Sequence, residues 1–277
     1  NYKLVHAFQV SEAAGAGWLL KFFYARLPLV LTMQEGKDLE KQGFLINFFR
    51  KLIIQKTDYA TAISVYLKNY LLKIKPNLPV ELIPNGVDIE LFSRDFSYGD
   101  MASLEEKLGI KADDKVIVSS SRLVSKNGID LLIRAFEILN SKFLPTGQAG
   151  KILNSKLLLI GEGPLEKSLK LQVSARGGSA SGGKSLNLES KVIFAGLVNN
   201  LELPLYLKIA DVFVRPSRSE GLGISFLEAM AAGIPVIATK VGGIPDFLDD
   251  PSTGSGRATG LFCKLDPEDI ASKINII

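Results

Sequence analysis

Residues 215–230 read Arg215-Pro216-Ser217-Arg218-Ser219-Glu220-Gly221-Leu222-Gly223-Ile224-Ser225-Phe226-Leu227-Glu228-Ala229-Met230. Two carboxylates, Glu220 and Glu228, bracket a Gly-Leu-Gly turn that runs into an apolar, helix-forming stretch. A strand-like run, residues 211–214, comes just before, and another, residues 235–239, follows. That order predicts Glu220 on a strand-to-helix loop and Glu228 about one turn inside the helix. A helix N-terminus carries unpaired N–H groups and the positive end of the helix dipole. Placed beside two hydroxyl acceptors, it suits a ligand that bears both phosphate and hydroxyl groups. A sugar nucleotide has both.

Outward from this stretch, the chain alternates short apolar runs with amphipathic ones. In the first third, strands are expected at 3–8, 29–33, 60–64 and 80–83, and helices at 12–24, 44–54 and 65–74. Pro84-Asn85-Gly86-Val87-Asp88 closes that series in a turn, since Asn and Gly tolerate positive φ. Residues 93–113 are polar, with one short helical pattern at 104–108, and read as the connection between domains. The second series predicts strands at 115–119, 157–160, 192–195, 212–214, 236–239 and 260–263, with helices between them. Repeated βαβ units imply parallel sheets covered by helices. The expected fold class is α/β with two Rossmann-like domains, residues 1–96 and 97–277, the first incomplete.

Composition narrows the function. Of 277 residues, 47% are hydrophobic and 22% charged, as in a globular enzyme rather than a disordered chain. The net charge of +4 is not gathered into a long Lys/Arg run, so nucleic acid is not an expected partner. A mildly basic surface is compatible with peripheral contact with anionic lipid. Cys263 is the only cysteine and His6 the only histidine, which excludes internal disulfides and Cys- or His-based metal clusters. A reducing, cytoplasmic setting, at the inner face of the membrane where lipid is involved, is the expectation. No apolar run is long enough to span a bilayer. Asn1 opens the chain with neither methionine nor a signal-like segment, so a piece of a longer protein is expected.

Three stretches interrupt the second half: 145–150, 175–185 and 251–260. The middle one contains Gly178, four residues, then Gly183-Lys184-Ser185, the letters of a phosphate-binding loop. Its context is wrong for one: a helix-like run precedes it where a strand is required. After the strand at 115–119 come Ser121-Arg122-Leu123-Val124-Ser125-Lys126-Asn127-Gly128. Arg122 and Lys126 therefore lie on a loop at a strand's C-terminal end, where open α/β sheets bind ligands. An Arg fork and a Lys point charge together neutralise a diphosphate; two solvated loop cations are the alternative. Gly161-Glu162-Gly163-Pro164 and Ala195-Gly196-Leu197-Val198 end the next two strands. The second of these offers backbone groups to a flat base or is an ordinary loop.

Taken in order, Ile83 to Asp88, Ser121 to Gly128, Gly161 to Pro164, and Pro216 to Gly223 with Glu228-Ala229-Met230 resemble the GT-B glycosyltransferases of family 4. The paired glutamates, with seven residues between them, followed by Ala232-Gly233-Ile234-Pro235-Val236 and Gly242-Gly243-Ile244-Pro245, carry the likeness most specifically. The resemblance implies a retaining enzyme that uses a nucleotide-diphosphate sugar as donor, with no metal and no other cofactor. Implied partners are the nucleotide sugar and a glycan or lipid-linked acceptor of the cell-envelope kind. By the same resemblance Arg122 and Lys126 hold the diphosphate, Glu220 contacts the sugar hydroxyls and Glu228 the ribose hydroxyls. The amides of Gly221, Leu222 and Gly223 would face the sugar or distal phosphate, and Leu197 and Val198 the base. The chain departs from the family at both ends: the first strand with its glycine-rich loop and the closing helix are not in it. Many members also carry a histidine after the strand at 29–33; here stands Gln34-Glu35-Gly36. Gln34, on the acceptor side, hydrogen-bonds but exchanges no proton near neutral pH.

Other classes remain open on the residues alone. A glycoside hydrolase uses two carboxylates, but the Arg122/Lys126 pair suits an anionic leaving group. A sugar-nucleotide binder without catalysis and an epimerase on the same fold are separated from a transferase by whether a donor is consumed only with an acceptor.

Overall fold

A computed structural model describes residues 2–36, 39, 41–140, 154–176, 188–248 and 259–277. The chain forms two compact units, each with its own parallel sheet. The first unit comprises Asn1–Gly86 together with Ser219–Gly223 and Val241–Phe247; the second holds the rest.

In the first unit β1 (Val5–Phe8), α1 (Glu12–Phe23), β2 (Leu29–Met33), α2 (Phe44–Lys56), β3 (Tyr59–Ala62), α3 (Val65–Ile74) and β4 (Val80–Leu82) alternate as expected. The sheet order is β1-β2-β3-β4, all parallel. Leu29, Leu31 and Met33 point to one fully buried face of β2, as the two-residue strand period requires. They share the core with Ala60, Ala62, Ile54, Leu67 and Leu71. Ser64 caps α3 by accepting from Leu67 N, and Asp246, in a 3-10 turn of this unit, accepts from Val65 N at 2.7 Å. His6 lies on β1, 2.8 Å from Thr32 Oγ1.

The second unit begins with α4 (Ile89–Ser93) and α5 (Tyr98–Leu108), followed by β5 (Lys115–Ser120) and α6 (Ile129–Asn140). Next come β6 (Ser155–Ile160), α7 (Glu166–Arg176), β7 (Val192–Gly196), α8 (Leu203–Lys208) and β8 (Val212–Arg215). The series ends with α9 (Ile224–Ala231), β9 (Val236–Thr239), β10 (Gly260–Cys263) and α10 (Pro267–Ile274). The six parallel strands run in the order β10-β9-β8-β5-β6-β7. The chain thus builds outward from β5 through β6 and β7, then returns to the other side of β5 with β8. That reversal makes the C-terminal ends of β5 and β8 the topological switch point, the usual ligand crevice of a doubly wound sheet. Ile133, Phe136 and Leu139 of α6, Ile270 and Ile274 of α10, and the leucines of β6 form one core. Cys263 belongs to it: burial pushes its thiol up to about 12, so it is inert packing.

Residues 93–113 are not an unstructured connection. Asp88 caps α4 through Leu91 N at 3.0 Å, and Ser97 with Asp100 forms a capping box for α5, which ends at Gly109 with φ 66°. The break falls between Gly86 and Val87 rather than at 96, because α4 buries Phe92 and packs on α8 and α9. Arg94 adds a 2.6 Å hydrogen bond to Leu201 O. The phosphate-loop lettering at 178–185, the stretch at 145–150 and residues 251–258 lie outside the described residues.

Candidate active site

In the second unit, the loops that leave β5, β6 and β7 are laced together by backbone hydrogen bonds. Ser121 N donates to Ile160 O, Leu123 N to Glu162 O, and Gly161 N to Gly196 O, at 2.9, 2.9 and 2.7 Å. The Gly161–Pro164 turn exists to allow this approach: a Cβ at Gly163 would stand 2.4 Å from Leu123 O. Buried Asn127 donates to Arg122 O at 2.6 Å and so fixes the turn that carries Arg122. Arg122 is exposed and Lys126 half-buried. On the β7 loop, Leu197 is 75% exposed, with Val198 half-buried beside it. An apolar side chain left in the open at a strand's C-terminal end is a ready platform for a planar base.

The β8 segment joins the β5 loop. A Cβ at Gly128, with φ 70°, would lie 2.0 Å from Pro216 O. Arg218 N donates to Lys126 O, Nη1 to Ser125 O, and the guanidinium forks onto both carboxylate oxygens of Asp130 at 2.8 and 2.7 Å. Burial alone would raise the Asp130 carboxyl, but the hydrogen bonds and charge of Arg218 outweigh it and hold it below the usual carboxylate range. Arg218, a cation inside the opening stretch, is therefore a fastener that seats the Lys126 turn on β8. Glu228 lies in the second turn of α9, and burial pushes its carboxyl above the usual range, partly offset by the charge of Arg215.

Glu220, Gly221, Leu222 and Gly223 cluster with the first unit. Half-buried Gln34 stands at the C-terminal end of β2, and the next two residues pack directly on this loop. A Cβ on Gly221 would come 2.7 Å from Glu35 O, and Ser219 Oγ donates to Gly36 O at 3.1 Å. Glu35 in turn accepts from Val10 N and from Gln34 N, and burial raises its carboxyl. Gly221 N approaches Glu220 Oε1 at 3.3 Å. A Cβ on Gly242, with φ 56°, would fall 1.7 Å from Glu220 O, so only glycine fits under the Glu220 backbone. From Gly223, with φ 98°, the chain passes straight into α9.

The structure thus gathers Arg122, Lys126, Leu197, Val198 and Glu228 onto C-terminal strand ends and α9 of the second unit. Gln34 and the Glu220 loop are gathered in the first. Reading the sequence missed Asn127, Glu35 and Arg215. Arg215 had a visible signal, a cation ending the apolar run Val212-Phe213-Val214. Asn127 and Glu35 had none: Asn127 bonds back to the backbone of its own loop, as any turn Asn can, and Glu35 depends on Val10 N of another loop. Among the described residues no group of three or more His, Cys, Asp or Glu is placed to hold a metal ion.

Two parallel Rossmann-like sheets, with cations, paired glutamates and tight glycine turns at strand C-termini, define an α/β protein of the GT-B kind. Residues 100–277 match the family of glycosyl transferases group 1, and the chain belongs to that family. It is 28% identical over 269 residues to N-acetyl-alpha-D-glucosaminyl L-malate synthase of Bacillus anthracis, covering 94% of this chain and 64% of that protein. Over 206 residues it is 32% identical to a GDP-mannose-dependent alpha-(1-6)-phosphatidylinositol monomannoside mannosyltransferase of Mycolicibacterium smegmatis, covering 72% and 48%. Among solved structures, sucrose-phosphate synthase of Thermosynechococcus elongatus superposes with a TM-score of 0.77 at 23% identity, over 100% of this chain and 64% of that one. HepE of Anabaena in complex with UDP-glucose gives 0.76 at 23% identity, covering 98% and 68%. The chain spans about half to two thirds of the length of these curated relatives.

Proposed function

We propose that this chain binds a nucleotide-diphosphate sugar and transfers the sugar, with retention and without metal, to a glycan or lipid-linked acceptor. The observation that carries the reading is the β5–β8 switch point. There a strand-end loop with Arg122 and Lys126 is fastened to the segment that leads, through Glu220 to Gly223, into the helix bearing Glu228. Arg122 and Lys126 neutralise the diphosphate as it departs, and this preorganised charge is the main catalytic contribution. Glu228 accepts from the ribose hydroxyls and Glu220 from the sugar hydroxyls. The Gly221, Leu222 and Gly223 amides face the sugar or distal phosphate, and Leu197 and Val198 lie against the base. These cations take the role a metal has elsewhere; the acidic pair Asp113-Asp114 precedes β5 instead of following it.

No protein nucleophile accompanies the two glutamates in this assignment, which favours attack by the acceptor on the face the leaving group vacates. Gln34 orients the acceptor by hydrogen bonding. The reading places the protein in the cytoplasm, making envelope glycans or glycolipids. Against a bilayer, it would use the face of α2 where Phe44, Leu45, Ile46, Phe48 and Phe49 are exposed next to Lys51 and Lys56. No helix among the described residues is long and apolar enough to cross a membrane. A panel of UDP- and GDP-sugars, each with and without acceptor extracts, tests the proposal. Sugar transfer from one donor, with net retention by NMR, is expected; donor binding without turnover under every acceptor condition would make the protein a binder instead.

A further inference from the structure

We infer that Arg218, paired with Asp130, is the positioning residue of Lys126: the ion pair fixes the turn from which that ammonium meets the donor diphosphate. This rests on the reading of Lys126 just proposed. Lys126 is the middle residue of one 3-10 turn, Ser125–Asn127, set between extended Val124 and left-handed Gly128. Such a turn has poorer hydrogen-bond geometry than an α-helix. Its own bonds are the longer ones, Asn127 N to Val124 O at 3.1 Å and Gly128 N to Ser125 O at 3.3 Å. Shorter bonds tie it to its surroundings, and Arg218 makes two of them. Its backbone N donates to Lys126 O and its Nη1 to Ser125 O, both at 2.6 Å. Those two carbonyls belong to the peptide planes on either side of the Lys126 Cα. With both planes held, the direction in which the Lys126 side chain leaves the backbone is set. Pro216 backs the same contact, since its carbonyl leaves no room for a Cβ at Gly128.

A guanidinium makes such a bond reproducibly only if its own orientation is fixed. Asp130, in the first turn of α6, fixes it: Nη1 and Nη2 donate to its two carboxylate oxygens at 2.8 and 2.7 Å. Both side chains are about one-third exposed. A pair this open contributes little unless its geometry is ideal, and the bidentate fork is that exception. The functional consequence follows from the chemistry of lysine. Its ammonium is a point charge on a flexible four-carbon stem, so the backbone beneath it decides where the charge can stand. A charge that stabilises a leaving group acts by being in place beforehand. Arg218 thus serves the diphosphate through Lys126 without touching it.

The sign of one substitution separates this role from direct electrostatics. Asp130 is an anion near a proposed anion site, so by charge alone its removal should tighten diphosphate binding. If Asp130 holds Arg218 and Arg218 holds the Lys126 turn, its removal should weaken binding. The test uses the full chain and calorimetric titration with UDP and UMP, with GDP and GMP in parallel. The proteins are wild type, Lys126→Ala, Arg218→Met, Arg218→Lys, Asp130→Asn and the Arg218→Met/Lys126→Ala double variant. Lys126→Ala should weaken diphosphate binding by about tenfold or more, the loss of one charge-assisted bond. Arg218→Met and Asp130→Asn should each weaken it by about three- to tenfold and leave the monophosphate nearly unchanged. Arg218→Lys keeps the charge without the fork and should resemble Arg218→Met. On the Lys126→Ala background, Arg218→Met should change little, whereas a merely structural role would add its full effect. Equal or tighter diphosphate binding by folded Asp130→Asn overturns the inference. So does wild-type affinity in Arg218→Lys, which would make Arg218 a direct phosphate cation, and so does full additivity in the double variant. Should Arg218→Met not fold, Asp130→Asn and Arg218→Lys decide. If Lys126→Ala binds the diphosphates as wild type does, the underlying role of Lys126 fails and the inference falls with it.

Discussion

Gly242→Ala should displace the backbone of Glu220 without removing any side chain proposed to bind donor. The backbone at 242 has φ 56°, where an L side chain costs about 1–2 kcal/mol. The new methyl would stand 1.7 Å from Glu220 O and 2.7 Å from its carbonyl carbon. Ordinary contact lies at roughly 3.5 Å, so one of the two backbones must retreat by well over an ångström. Overpacking of this kind costs about 1–3 kcal/mol, for a total of roughly 2–5 kcal/mol. At this chain length that is a fall in Tm of about 4–20 °C. A shift of that size in a substrate-positioning residue costs on the order of 100-fold in turnover. Thermal denaturation and initial rates of sugar transfer measure both. Gly109→Ala is the control: φ is 66° but nothing lies within 4 Å of its Cβ, so it should lose stability and keep its rate. Wild-type turnover by Gly242→Ala, assayed as folded protein beside that control, would refute the argument that this contact seats Glu220 for catalysis.

Arg122→Ala should lower kcat by about 100-fold or more, as expected for removal of a preorganised charge at the leaving group, and Lys126→Ala should do likewise; unchanged kcat in a folded variant would take that residue out of the mechanism. The pH dependence of nucleotide binding should have an acid limb set by Glu228. Its carboxyl is raised by burial, with Arg215 opposing, so affinity is full at neutral pH and falls on acidification before an ordinary glutamate would protonate. Titration of Glu228→Gln across the same range should lack that limb. Sedimentation with anionic vesicles should carry down the wild-type chain, and Phe48→Ser with Phe49→Ser should release it, since both rings are about half exposed on α2; equal sedimentation by the variants would discard α2 as the contact.

The strands were legible because each is a short apolar run closed by Gly, Pro or Ser, and β2, β9 and β10 begin and end where the pattern predicts. α4 was not: five residues show no helical period, and its cap at Asp88 falls inside what reads as a turn. α5 exposes most of its length and buries only Leu104, so its residues look like linker. The individual site residues stood out because Gly, Arg, Lys and Glu recur after successive strands. What a single chain hides is contact over long separation. Nothing around Arg218 in the sequence points to Asp130, 88 residues away, whose carboxylate its guanidinium forks onto. Gly242 looks like a helix-entry glycine until Glu220 is found above it. The same holds for the Glu220–Gly223 segment, which lies between second-unit elements in sequence and clusters with the first unit.

Titration of the wild-type chain and Glu228→Gln with UDP and GDP tests the donor-site reading most directly. Saturable binding of at least one nucleotide by wild type is expected. Glutamine keeps one acceptor oxygen and loses the charge, so affinity should weaken by about 10–100-fold, the cost of roughly 1.5–3 kcal/mol for a charge-assisted bond. No binding of either nucleotide by the wild-type chain, or equal affinity in the folded variant, would contradict the account.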